Sequence, residues 1–245
     1  MNYYNYFTDI EEHFVARRGK HLLISPMDWS LISTWQETGV PLHVALRGID
    51  IAVDTWNSKP HRESDRLSTL FYCHDAVMQE YARHLEAHLG EGPTESASEL
   101  SESSAPKGRG SQDGPDKHAI LKFLESRIRE IKAAQAKHYR GENPEEMDRV
   151  LSRLDDILRS VTAEEKTDLE ALDRDLGILD ELLTRELRVR GPEEQLEIWE
   201  KEARKELKIY KKRLPKETYD KIAGNFLRGR IHRHFDVEEL SLFKL

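Results

Sequence analysis

Between Glu91 and Asp116 the chain reads EGPTESASELSESSAPKGRGSQDGPD, and Leu100 is its only large apolar side chain. Ordering a backbone costs about 1–2 kcal/mol per residue, and a segment this polar has almost nothing to bury in return. It reads as a disordered linker, and it splits the foldable chain in two. The expected organisation is a small Trp-rich helical domain over 1–90, the linker over 91–116, a helical bundle over 117–235 and a tail peptide over 236–245.

The fold class expected on both sides of the linker is all-α. Tyr6, Phe7, Ile10 and Phe14 recur at helical spacing over 3–17, and Gly19 ends that run. Ser25-Pro-Met-Asp28 is a helix start, because serine caps, proline has no N–H to lose at the first position, and Asp28 can answer back to the cap. Trp29, Ile32 and Trp35 follow it, up to Gly39. Pro41 opens a third helix with Leu42, Ala45, Leu46, Ile49, Val53 and Trp56 on one stripe, and a polar loop runs over 57–65. A fourth helix is expected over about 66–89, with Leu67, Leu70, Phe71, Val77, Met78, Tyr81 and Leu85 inward. Four such helices can just close a small core.

Beyond the linker, Ile120, Leu124, Ile128 and Ile131 form one stripe. Asn143-Pro-Glu-Glu146 starts a second helix, and Thr162-Ala-Glu-Glu165 reads as a capping box for a third. That third helix alternates threes and fours through Leu169, Leu172, Leu176, Leu179 and Leu183. Gly191-Pro192 breaks the chain, Leu196 to Leu214 resumes the rhythm, and Pro215 starts the last helix. Repeated breaks favour antiparallel hairpins in a bundle; a homodimeric coiled coil through 163–214 is the alternative.

Charge is segregated along the chain. The net charge is −8, yet residues 201–234 carry 12 basic against 4 acidic side chains. Lys201, Lys205, Lys208 and Lys212 recur every three or four residues, and Arg228, Arg230 and Arg233 add a second cluster. These seven are the candidate nucleic-acid contacts, with Tyr219, Phe226 and Phe235 able to stack on bases if exposed. A solvated helix face is the plainer reading of the same pattern. The hairpin over 26–56 is a poor DNA reader, because Asp50 and Asp54 beside its stripe would repel phosphates.

Other chemistry is thin. Nucleotide-binding glycine motifs, a nucleophile elbow and a kinase signature are all missing, so a non-enzymatic protein without a cofactor is expected. His84 and His88 stand one helical turn apart and can share zinc only if a third ligand comes from elsewhere. Cys73 and His88, roughly 22 Å apart along one helix, cannot. Ordinary surface histidines are the expected reading of Cys73-His74, His84 and His88, and no metal site is assigned. The single cysteine excludes an internal disulfide and suits a reducing compartment. The start of the chain has no basic, apolar leader, and no run approaches the roughly 20 apolar residues of a membrane span, so a cytoplasmic location is expected.

The chain closes on Phe235-Asp-Val-Glu-Glu-Leu-Ser-Leu-Phe-Lys-Leu245, a compact apolar tip after an acidic spacer. Glu239-Leu240-Ser241-Leu242-Phe243 resembles the peptide by which bacterial polymerases and repair proteins bind the replication sliding clamp, close to Gln-Leu-Ser/Asp-Leu-Phe. The resemblance implies that Leu242 and Phe243 anchor in an apolar clamp pocket, Leu240 adds a contact and Glu239 sits at the rim. Glutamate in place of glutamine removes an amide donor and adds a charge. Residues 24–29, 35–41 and 46–50 are loosely similar to helical modules of uncharacterised bacterial proteins and of primosomal DnaD-like proteins. The expectation is a non-enzymatic bacterial adaptor in replication or repair, with the sliding clamp and nucleic acid as partners. The alternative is a structural or oligomeric bundle with no nucleic-acid role.

Overall fold

The computed structural model describes residues 5–19, 24–60, 67–89, 116–139, 144–163 and 167–244. Within these the chain is all-helical: α1 Tyr6–Arg18, α2 Pro26–Glu37, α3 Leu42–Asn57, α4 His74–Leu89, α5 Lys117–His138, α6 Glu145–Ala163, α7 Leu169–Arg190, α8 Glu193–Leu207 and α9 Lys216–His234. Most of the expected linker lies outside the described residues.

The caps explain several boundaries. Ser25 and Asp28 form the capping box that starts α2, with Pro26 in the first turn. Gly19 closes α1 in the left-handed region, φ 73°. Two starts differ from expectation. Thr162 lies inside α6, where its hydroxyl donates to the Leu158 carbonyl. Asp168 caps α7 instead, accepting from the Glu170 and Ala171 N–H groups. The fourth helix begins at His74, not near 66, because Thr69 first caps a 3-10 turn over Leu70–Tyr72. Asp28 holds that turn: its buried carboxylate accepts from Thr69 Oγ1 at 2.6 Å and the Leu70 N–H at 2.9 Å. Leu85, expected inward, is 46% exposed.

The apolar cores do not divide at the linker. The first gathers Ile10, Phe14, Leu31, Trp35, Ile49 and Val77, but also Leu207, Leu214, Ile222 and Phe226 from beyond residue 200. The four N-terminal helices therefore do not close a core alone. The second core gathers α5, α6 and α7 around Leu124, Ile131, Leu154, Leu176 and Leu183 and takes in Leu227 and Ile231. Thus α9 is the shared wall, with Ile222 and Phe226 facing one core and Leu227 and Ile231 the other. The leucines of α7 that suggested a coiled coil are buried in the second core. No helix among the described residues is long and apolar enough to cross a membrane.

Candidate nucleic-acid interface

The α8–α9 turn, residues 208–215, is pinned from below. Leu207 and Leu214 are buried in the first core, and the Tyr210 ring stacks on Phe71 at 4.2 Å. Burial raises the Tyr210 phenol above its ordinary value. The backbone is closed by the Arg213 N–H to the Tyr210 carbonyl at 2.8 Å and the Leu214 N–H to the same oxygen at 3.0 Å. Because residues 207, 210 and 214 point in, the residues between them point out. Lys208, Lys211, Lys212, Arg213 and Lys216 are all exposed, and Ile209 among them is 73% exposed.

Elsewhere on this surface many cations are ion-paired, while among the described residues Lys122, Arg174, Arg185 and Arg233 stand singly without a carboxylate within 4 Å. Arg149 pairs with Glu146, Arg153 with Asp175, Arg188 with Glu200 and Lys221 with Glu217. Among the described residues, Lys205, Lys208, Lys211, Lys212, Arg213 and Lys216 have no carboxylate within 4 Å. Over 205–216 there are six cations and one acid, Glu206.

The seven candidate contacts divide. Lys205, Lys208 and Lys212 converge on this turn, joined by Lys211 and Arg213 within it and Lys216 at the start of α9, which helical spacing along α8 does not reach. Lys201 pairs with Glu197 at 2.9 Å. Arg228 and Arg230 are tied within the fold, to Glu37 at 3.4 Å and Glu202 at 3.1 Å, and Arg230 also covers the Phe226 ring. Arg233 is exposed, but stands about 25 Å along α9 from Lys216. The aromatic residues do not offer base stacking: Phe226 and Phe235 are buried, and Tyr219 packs on the first core. The α2–α3 hairpin offers no groove reader, since Asp50 accepts from His13 at 2.8 Å and Arg17 at 2.8 Å.

The C-terminal peptide is docked on the body. Asp236 adopts φ 56° and turns the chain back after α9. Leu240 and Leu242 then enter the second core, and Phe243 enters the first. Two aspartates on α7 hold the backbone. The Leu240 N–H donates to Asp180 at 2.7 Å and the Leu242 N–H to Asp173 at 3.0 Å, with Ser241 Oγ 3.4 Å from Asp173. Seven residues is two helical turns, so both carboxylates face the tail. Burial raises both carboxyls. At Asp180, His232 works against that and Glu239 adds to it. Glu239 itself is half-buried. Sequence reasoning missed both aspartates, although Asp180 sits between Leu179 and Leu183 of an apolar stripe.

The histidines are not equivalent surface groups. His74 is buried and its Nδ1 accepts from Trp35 Nε1 at 3.0 Å, while Cys73 is buried with its thiol pushed up to about 12. His43 on α3 stands beside His84 and His88 on α4. Burial, then the neighbouring imidazoles and Arg47, hold His43 and His84 below the ordinary histidine value.

A family model described as "Uncharacterised protein" matches residues 5–92, the stretch that holds α1 to α4. No curated protein and no solved structure matches the chain.

Proposed function

We propose that this protein is a non-enzymatic bacterial adaptor that contacts nucleic acid through the α8–α9 turn, in a replication or repair setting. One observation carries the reading. On a protein of net charge −8, six cations within the twelve residues 205–216, on the pinned turn and the helix ends that flank it, have no carboxylate partner. Such a tip attracts phosphates and releases counterions. With no exposed aromatic platform beside it, contact is to the backbone and indifferent to sequence.

Fluorescence anisotropy with labelled single- and double-stranded oligonucleotides of unrelated sequence tests this. Wild type binds both. Combined Lys208→Glu, Lys211→Glu and Lys212→Glu weakens binding at least roughly tenfold, and Lys122→Glu on α5 does not. Binding that survives the triple reversal, or binding to anionic vesicles alone, overturns the reading.

The tail would be the second contact of such an adaptor, with the sliding clamp as partner. Its docking bears on affinity. Exposing Leu240, Leu242 and Phe243 costs about 1.5–3 kcal/mol each, so a partner works against about 4.5–9 kcal/mol, roughly three to six powers of ten in affinity. A free peptide of residues 236–245 is therefore captured by purified clamp far better than the whole chain. Equal failure of both sinks the clamp contact. The alternative, an oligomeric bundle without a nucleic-acid role, draws on Ile178 and Val189, exposed three turns apart on α7. Light scattering that finds a stable dimer with no nucleic-acid binding favours it.

A further inference from the structure

We propose that Ile209 is an apolar wedge that gives the α8–α9 turn a preference for nucleic acid whose base stack is already interrupted, a bulge or a gap in a duplex; this rests on the turn's contact with phosphates. Two reverse turns follow one another after α8, closed by the Tyr210 N–H donating to the Leu207 carbonyl at 3.0 Å and the Arg213 N–H to the Tyr210 carbonyl at 2.8 Å. Lys208 and Ile209 are the middle residues of the first, Lys211 and Lys212 of the second, and all of them are exposed. Lysines and one isoleucine therefore share the outer edge of the turn.

Isoleucine is an odd choice for that place. The middle of a turn favours Gly, Asn, Asp, Ser or Pro, each for a backbone or hydrogen-bonding reason that isoleucine lacks. Burial does not explain it, because Ile209 is 73% exposed. Among the described residues the other exposed large apolar side chains, Ile51, Leu85, Ile178, Val189 and Ile198, stand on helix faces. Ile209 differs from them: it sits between two helices, among cations without a carboxylate partner.

The turn is firm enough to press a side chain into a target. Leu207 and Leu214 are buried beneath it and Tyr210 stacks on Phe71, and a β-branched side chain has few rotamers to lose. Lysines on both sides of Ile209 would hold phosphates, which sets the isoleucine against the bases between them, as minor-groove proteins set apolar side chains between base steps. Magnitude decides the substrate. Burying one isoleucine gains no more than unstacking an intact step costs, so a single wedge does not kink a regular duplex. Where a base is unpaired or missing, most of that cost is gone and the gain appears as binding. A lipid surface fits less well, because interfacial anchoring scales with buried apolar area and one isoleucine offers little.

Anisotropy at fixed salt with duplexes of one sequence, either regular or carrying an unpaired bulge, tests the wedge. Wild type prefers the bulged duplex at least about tenfold, as expected for one isoleucine buried. Ile209→Ser removes that preference with unchanged helical circular dichroism, while Ile198→Ser, at an exposed position on α8, keeps it. Reversal of Lys208, Lys211 and Lys212 weakens binding to both duplexes alike. Equal wild-type affinity for the two duplexes overturns the wedge and leaves the phosphate contact standing; failure to bind either one removes both. If Ile209→Ser keeps the preference, or lowers only binding to vesicles of phosphatidylcholine and phosphatidylglycerol, the wedge is equally wrong.

Discussion

At the scale of single residues, Gly48 and Asp180 each answer a demand set by a distant partner, room for the Val77 backbone in one case and an acceptor for the Leu240 N–H in the other. In an open helix interior, Gly→Ala stabilises by roughly 0.5–1 kcal/mol. At Gly48 the new methyl would meet the Val77 backbone at 2.5 Å. Gly48→Ala is therefore expected to destabilise by about 1–3 kcal/mol, the range for overpacking; a urea midpoint at or above wild type contradicts it. Asp180 is raised above 3.8 by burial, with His232, Arg228 and the Leu240 N–H acting against that and Glu239 with it. A raised carboxyl holds its proton more tightly in the folded chain. Its contribution is then fully present below the unfolded value and is lost as pH climbs through the folded one. Asp180→Asn keeps an oxygen for the Leu240 N–H and removes that loss. Its stability should fall less than that of wild type as pH rises above about 4, and parallel curves refute this. The Ser25–Asp28 cap was legible because it is local. The burial of His74 and the role of Asp180 were not, because both depend on partners 39 and 60 residues away.

At the scale of elements, the boundaries set by proline and glycine were legible and those set by tertiary contact were not. Pro26, Pro192 and Pro215 stand where helices begin. The late start of α4 follows instead from Asp28 gripping the 3-10 turn across 42 residues of chain. The tail is the clearest case. Its apolar pattern showed that Leu240, Leu242 and Phe243 need cover, but not that their cover lies on both sides of α9. The docked tail acts as a clasp across the two cores. A chain ending at residue 239 is expected to lose about 4.5–9 kcal/mol from three buried side chains, and to bind a dye for exposed apolar surface. Thermal unfolding at the wild-type temperature would contradict the clasp. The basic turn divides in the same way: cations at helical spacing were found, while those at 211, 213 and 216 required knowing that the helix stops at Leu207.

At the scale of the whole molecule, charge segregation was legible in full, because it is a property of composition along the chain. How the blocks meet was not. A polar stretch between 91 and 116 signals a break in chain order, yet Leu207, Leu214, Ile222 and Phe226 cross it to complete the first core. That crossing is what pins the α8–α9 turn, through Leu207, Tyr210 and Leu214, and it leaves the cations between them facing solvent. The central claim is that this turn binds phosphates. Its most direct test is the dependence of duplex binding on salt concentration. Five or so neutralised phosphates give a log–log slope of about −4 to −5 on duplex DNA, shallower by roughly 3 when Lys208, Lys211 and Lys212 are reversed. A wild-type slope near zero, or one that the reversal leaves unchanged, contradicts the claim.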